Sequence, residues 1–127
     1  MTPETFPKLF AAAFAVQDSA MLSGYLAEDA DVVTLTGGLA ETAKQAAQLF
    51  DLEFTGTFAT ARLVTGKTRL RLLGPGGAVL HQRYVVIGAR DATGAEMPRF
   101  GAMLSVVLLA RAEGWRAVSL AFSALSQ

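Results

Sequence analysis

The chain has 127 residues, just over half of them apolar and 17% charged, which is enough for one packed core and too little for two, so a single domain over 1–127 is expected. There is no cysteine and only one histidine, His81; disulfides, thiol catalysis and a multi-histidine metal centre within one subunit are excluded, and no metal or cofactor is expected. The net charge of zero hides an uneven distribution. Residues 1–61 hold two lysines against eight acids, and residues 62–127 hold nine bases against three acids. This reads as an acidic helical half against a basic sheet half. A nucleic-acid reader would interleave aromatics with its bases, and this chain does not.

Phe6, Leu9, Phe10, Ala13 and Phe14 recur at three- and four-residue steps, which predicts a helix over about 7–16 with Pro7 in its first turn. The apolar run Leu9 to Val16 superficially resembles a leader, but Glu4 precedes it and the amphipathic helix accounts for it. No stretch approaches the roughly twenty apolar residues of a membrane span, so a cytoplasmic protein without a membrane partner is expected. Asp18 reads as the N-cap of a second helix over 18–27 that presents Met21, Leu22, Tyr25 and Leu26. Glu28-Asp29-Ala30-Asp31 reads as an acidic turn, Val32 to Leu35 as a short strand, and Gly37-Gly38 as a turn. Leu39 to Phe54 reads as a third helix with Ala43, Ala46, Ala47, Phe50 and Phe54 on its stripe.

From there the period changes to two. Strands are expected at about 60–73, 78–88, 99–111 and 115–125, separated by Gly74-Pro75-Gly76-Gly77, Asp91-Ala92-Thr93-Gly94 and Glu113-Gly114. Helices followed by a run of hairpin-linked strands predict an α+β domain with a mainly antiparallel sheet. Phe100, Leu104, Val106 and Leu108 point one way, while Met103, Val107 and Leu109 point the other. Both faces are therefore apolar, and no helix remains to cover the second. A homodimer through the outer sheet face is the economical answer.

The segment FAAAFAVQDSAMLSGYLAEDADVVTLTGG and the later GWRAVSLAFSAL resemble the nuclear transport factor 2-like (NTF2-like) superfamily, in particular its small SnoaL-like and SgcJ-like bacterial members. The resemblance implies a cone-shaped, cystatin-like fold: three N-terminal helices packed on a curved sheet around a mostly apolar pocket. It is specific for fold and unspecific for function, since that scaffold hosts isomerases, dehydratases, cyclases and binding domains. Steroid isomerases of this fold use a helix tyrosine, an aspartate base and a late-strand acid. Those roles fall here on Phe10, near Thr34, and near Val106 or Val107, so all three are lost. The final-strand histidine common in SgcJ-like sequences is replaced near Ala121.

The candidate site is accordingly a pocket touched by Phe10, Phe14, Tyr25, Thr34, Phe54, His81 and Arg83. His81 suits a general base or a hydrogen-bond donor, because imidazole titrates near neutrality; the alternative is a strand histidine at the subunit interface. Arg83 suits a carboxylate clamp or a salt bridge to the acidic helices. Phe50 and Phe58 join the candidate pocket or the core. Lys67, Arg69 and Arg71 alternate along one strand as a solvated face. Gly74-Pro75-Gly76-Gly77 has no following helix and is no phosphate cradle, and there is no nucleophile elbow. The expected function is binding of a small apolar or aromatic molecule. The alternatives are a lyase, cyclase or isomerase using His81 as acid/base, and a protein-association module with a collapsed pocket.

Overall fold

The computed structural model describes residues 1–125. Its elements in chain order are α1 (Phe6–Ala15), α2 (Ser19–Ser23), β1 (Leu26–Val33), β2 (Leu39–Ala40), α3 (Ala43–Phe54), β3 (Arg62–Leu72), β4 (Gly77–Ile87), β5 (Phe100–Arg111) and β6 (Gly114–Ala124). The six strands form one sheet in the order β2-β1-β6-β5-β4-β3. All neighbours are antiparallel except β1 and β6, which run parallel. This is the three-helix, mainly antiparallel α+β arrangement that the sequence implies.

Two expected boundaries are corrected. The second helix stops at Ser23 rather than at residue 27, and Leu26–Val33 is one strand instead of a helix end, an acidic turn and a short strand. The reason is alternation: Ala30 and Val32 are buried while Asp31 between them is exposed, the period of a pleated strand rather than of a turn. The third helix starts at Ala43 rather than Leu39. Thr42 caps it, its hydroxyl accepting the Gln45 amide N–H at 3.1 Å, and Leu39–Ala40 instead pairs with β1. Asp18 is the N-cap of α2 as expected, accepting from the Met21 N–H at 2.9 Å.

The helix-covered side of the sheet is packed with rings. Phe10 stands edge-on to Phe122 at 5.4 Å between centroids and stacks on Tyr84 at 6.0 Å. Phe14 meets Phe54 at 5.2 Å and Phe58 at 5.4 Å. Phe6, Phe50, Leu80, Leu104, Leu108 and Leu120 complete this core, each almost wholly buried. Rings in such edge and offset contacts add to the burial term, and removing one phenylalanine from such a core costs about 3–5 kcal/mol. The interior of the cone is therefore filled by its own side chains.

Candidate functional site

Three loops and two strand ends meet where β1, β6 and β5 open beyond the core. They enclose a cleft of about 500 Å³ lined by Leu35, Phe58, Met97, Pro98, Phe100 and Ala124, with Thr36, Thr57 and Arg99 as its polar members. The volume lies within the range of small-molecule sites, and the balance of a dominant apolar lining with few polar groups is theirs too.

The loops are held by backbone bonds. The Phe58 N–H donates to the Glu53 carbonyl at 2.8 Å as α3 ends, and the Arg90 N–H donates to the Thr57 carbonyl at 2.9 Å. The Met97 N–H donates to the Ala89 carbonyl at 2.8 Å, closing the β4–β5 loop on itself. Within that loop Asp91 accepts from the Thr93 hydroxyl at 2.6 Å, from the Thr93 N–H at 2.9 Å and from the Ala95 N–H at 3.1 Å. These bonds, the hydroxyl first, hold its carboxyl below the usual range. Gly88 lets the loop leave β4: its φ is +84°, and a Cβ there would lie 2.6 Å from the Thr60 carbonyl oxygen. Behind the cleft Glu53 is buried. Its Oε2 accepts from the Thr36 hydroxyl, and its Oε1 is buried with no partner.

The structure separates the residues expected to form one site. Phe10, Phe14 and Phe54 are buried in the core, where Phe14 packs edge-on against Phe54. Thr34 is buried, and its hydroxyl accepts the Gly38 N–H at 3.0 Å, a turn-closing role. Tyr25 lies beyond α2 rather than on it, half-buried and edge-on to Phe6 at 6.1 Å. His81 and Arg83 are exposed on the opposite, outer face of the sheet. A pocket combining His81 with Phe10 and Phe14 is thus corrected, and the cause is strand parity. Leu80, Gln82 and Tyr84 point to the helices, so His81 and Arg83 must point away, and Arg83 also turns its back on the acidic helices. Of the isomerase positions, Phe10 and Val106 face the core and Val107 the outer side.

Sequence reasoning flagged only Phe58 among the residues of the cleft. Met97-Pro98, an apolar pair closing a polar loop, is the signal in the sequence that could have found the rest, and it went unread. Outside the cleft, Lys67, Arg69, His81 and Arg83 line one depression of the outer face, and Arg69, Arg71 and His81 line another beside it. Among the described residues no group of three or more His, Cys, Asp or Glu side chains is placed to hold a metal ion. No described helix is long and apolar enough to cross a membrane.

No family model matches the chain, and no curated protein matches it. Solved structures do. An uncharacterized protein with a cystatin-like fold from Caulobacter vibrioides superposes with a TM-score of 0.86 at 15% identity, over 97% of this chain and 87% of that one. A protein from Xanthomonas campestris, provisionally described as a calcium/calmodulin dependent protein kinase II association domain, gives 0.81 at 18% identity over 98% and 86%. An NTF2-like protein with a cystatin-like fold from Novosphingobium aromaticivorans gives 0.76 at 19% identity over 98% and 79%. At these identities the likeness establishes the fold: the chain has the NTF2-like, cystatin-like architecture.

Proposed function

We propose that this NTF2-like domain binds a small apolar or aromatic molecule in the cleft at the open end of the cone, as a SnoaL-like or SgcJ-like binding protein, and that it works as a homodimer paired through the outer face of the sheet. The observation that carries the first part is the cleft itself: about 500 Å³, apolar over most of its wall. Met97, Phe100 and Phe58 offer flat or adaptable surface to a ring, and Arg99 offers a guanidinium to a polar substituent. What supports the second part is the half-buried apolar set Val79, Met103, Val107 and Leu109, which no described element covers.

Acid–base chemistry by His81 gains no support from this geometry, because the imidazole lies across the sheet from the cleft. The packed interior favours a second reading, an association module, and the Xanthomonas campestris neighbour is described in such terms. One experiment separates the two. Native mass spectrometry of the purified protein, followed by fluorescence titration with anilinonaphthalene sulfonate, is expected to give one bound molecule per chain, weakened tenfold or more by Ala124→Phe. A protein that carries nothing and binds no probe, while still self-associating, supports the association reading and overturns the binding one.

A further inference from the structure

The outer face of the sheet concentrates positive charge with little to balance it. β3, β4, β5 and β6 contain no acidic residue. Two adjoining depressions lie on this face over β3 and β4. One, of about 230 Å³, is lined by Lys67, Arg69, His81, Arg83 and Met103; the other, of about 360 Å³, is lined by Arg69, Arg71, Leu73, Val79 and His81. Arg69 and His81 stand directly opposite each other in the strand pairing and belong to both. Arg111 and Arg116 extend the same positive face along β5 and β6.

The backbone holds these bases together against their repulsion. Two residues of β3, Gly66 and Lys67, stand against the single Arg83 of β4, because the register runs Thr65↔Tyr84 and then Thr68↔Gln82. A Cβ at Gly66 would lie 3.1 Å from the Arg83 carbonyl oxygen, so the two backbones approach closely there. The buried Gln82 side-chain amide donates to the carbonyls of Gly66 at 3.1 Å and Lys67 at 3.2 Å. Lys67 and Arg83 thereby line the same depression, and like charges set side by side on one sheet face repel. Bases on β3 alone would be accounted for as protection of an edge strand against pairing with other chains. Arg83 and His81 are on β4, an interior strand, where edge protection does not account for them and a bound anion does.

Guanidinium groups present paired N–H donors that match phosphate oxygens, and a concavity lined by charge of one sign draws in a counter-ion. We propose that the two depressions are the two lobes of one site for a diphosphate group, free or esterified to a small molecule. Lys67 and Arg83 hold one phosphoryl group, Arg71 holds the other, and Arg69 and His81 between them contact both. Leu73 and Val79 beside one lobe, and Met103 beside the other, give apolar footing to the rest of an ester. A single-stranded nucleic acid fits less well, since no Phe, Tyr or Trp lines either lobe for a base to stack on. The site lies on the face proposed above to pair two copies, goes beyond that reading and does not depend on it.

Isothermal titration calorimetry with inorganic pyrophosphate in magnesium-free buffer tests the site, with orthophosphate and adenosine diphosphate as parallel arms. The expected result is one pyrophosphate per chain, bound roughly tenfold or more tightly than orthophosphate and weakened by added salt. Arg69→Gln and Arg83→Gln each weaken it by about tenfold or more. Lys44→Gln, an equal loss of charge at an exposed position of α3, leaves it unchanged. Tighter binding of adenosine diphosphate than of pyrophosphate identifies an ester as the ligand, and the reverse order identifies the free anion; both orders support the site. Absence of binding, orthophosphate bound as tightly as pyrophosphate, or equal weakening by all three substitutions overturns it. So does a single-stranded oligonucleotide that binds more tightly than either diphosphate. Sedimentation beside the titration keeps the pairing of copies separate. A pair that forms while no pyrophosphate binds overturns the site alone, and a monomer that binds pyrophosphate overturns the pairing alone. One pyrophosphate per two chains places the anion between copies and overturns the site within one chain.

Discussion

The Tyr84 hydroxyl of β4 donates to the Pro7 carbonyl of α1 at 2.6 Å, inside the core and 77 residues apart in the chain. It is the polar bolt between the first helix and the centre of the sheet, and the ring carrying it stacks on Phe10. Burial pushes the phenol well above its ordinary range.

Two outcomes follow for Tyr84. Tyr84→Phe keeps the ring and deletes the bond, and is expected to destabilise the fold by about 1 kcal/mol in denaturant titration. The sign of the pH effect comes from the direction of the shift. The unfolded chain gives up this proton near pH 10, while the folded chain retains it. Above that pH the native state binds more protons than the unfolded one, so stability falls as pH rises. Wild type is expected to lose stability above about pH 10, and Tyr84→Phe to lose less over the same interval. Equal slopes for the two proteins would refute the assignment.

Gln82 is a fully buried amide on the same strand, with every polar atom engaged. It accepts from the Thr68 hydroxyl and donates to Gly66, Lys67 and the Arg83 carbonyl, the last at 2.8 Å. Gln82→Leu leaves the Gly66 and Lys67 carbonyls, at the register shift between Thr65 and Thr68 of β3, without these bonds and is expected to cost about 2–3 kcal/mol. Denaturant titration beside wild type checks the loss.

The helices and the long strands were legible because their periods are strong: Phe6, Phe10 and Phe14 for α1, and the alternation of β4 to β6. The orientation of His81 was not. On β4 the outward set mixes Val79, Val85 and Ile87 with His81 and Arg83, and the inward set contains Gln82, so neither face is purely apolar and hydrophobicity alone did not settle the parity. β1 was misread because Glu28, Asp29 and Asp31 resemble a turn in composition, whereas pairing with β6 decides their conformation. The cleft has no periodic signature. Leu35, Phe58, Met97 and Ala124 come from four separate places in the chain, and only tertiary structure assembles them.

Gly88 tests whether the β4–β5 loop holds the cleft open. With φ at +84° and a Cβ position 2.6 Å from the Thr60 carbonyl, Gly88→Ala must move backbone. A loss of about 1–3 kcal/mol is expected. Met97, Pro98 and Arg99 lie on the same loop, so probe binding should weaken as well. A variant with unchanged thermal midpoint and unchanged probe affinity would show that the loop adapts without consequence.

The last prediction contrasts two single substitutions on opposite sides of the sheet. Ala124 is exposed at the end of β6 and lines the cleft. A phenylalanine there places its ring in the cleft without entering the core, so Ala124→Phe is expected to keep the fold and weaken binding of an apolar probe by tenfold or more, the loss of about 1.4 kcal/mol or greater. His81 lies on the outer face beside Arg69 and Arg83. His81→Ala removes an exposed side chain that touches neither the cleft nor the core. Surface changes of that kind stay within about 0.5 kcal/mol in stability, and probe affinity should be unchanged. Fluorescence titration of the two variants beside wild type reads both outcomes at once. If His81→Ala weakens the probe and Ala124→Phe does not, the binding site is on the outer face, and the cleft is only a gap between loops.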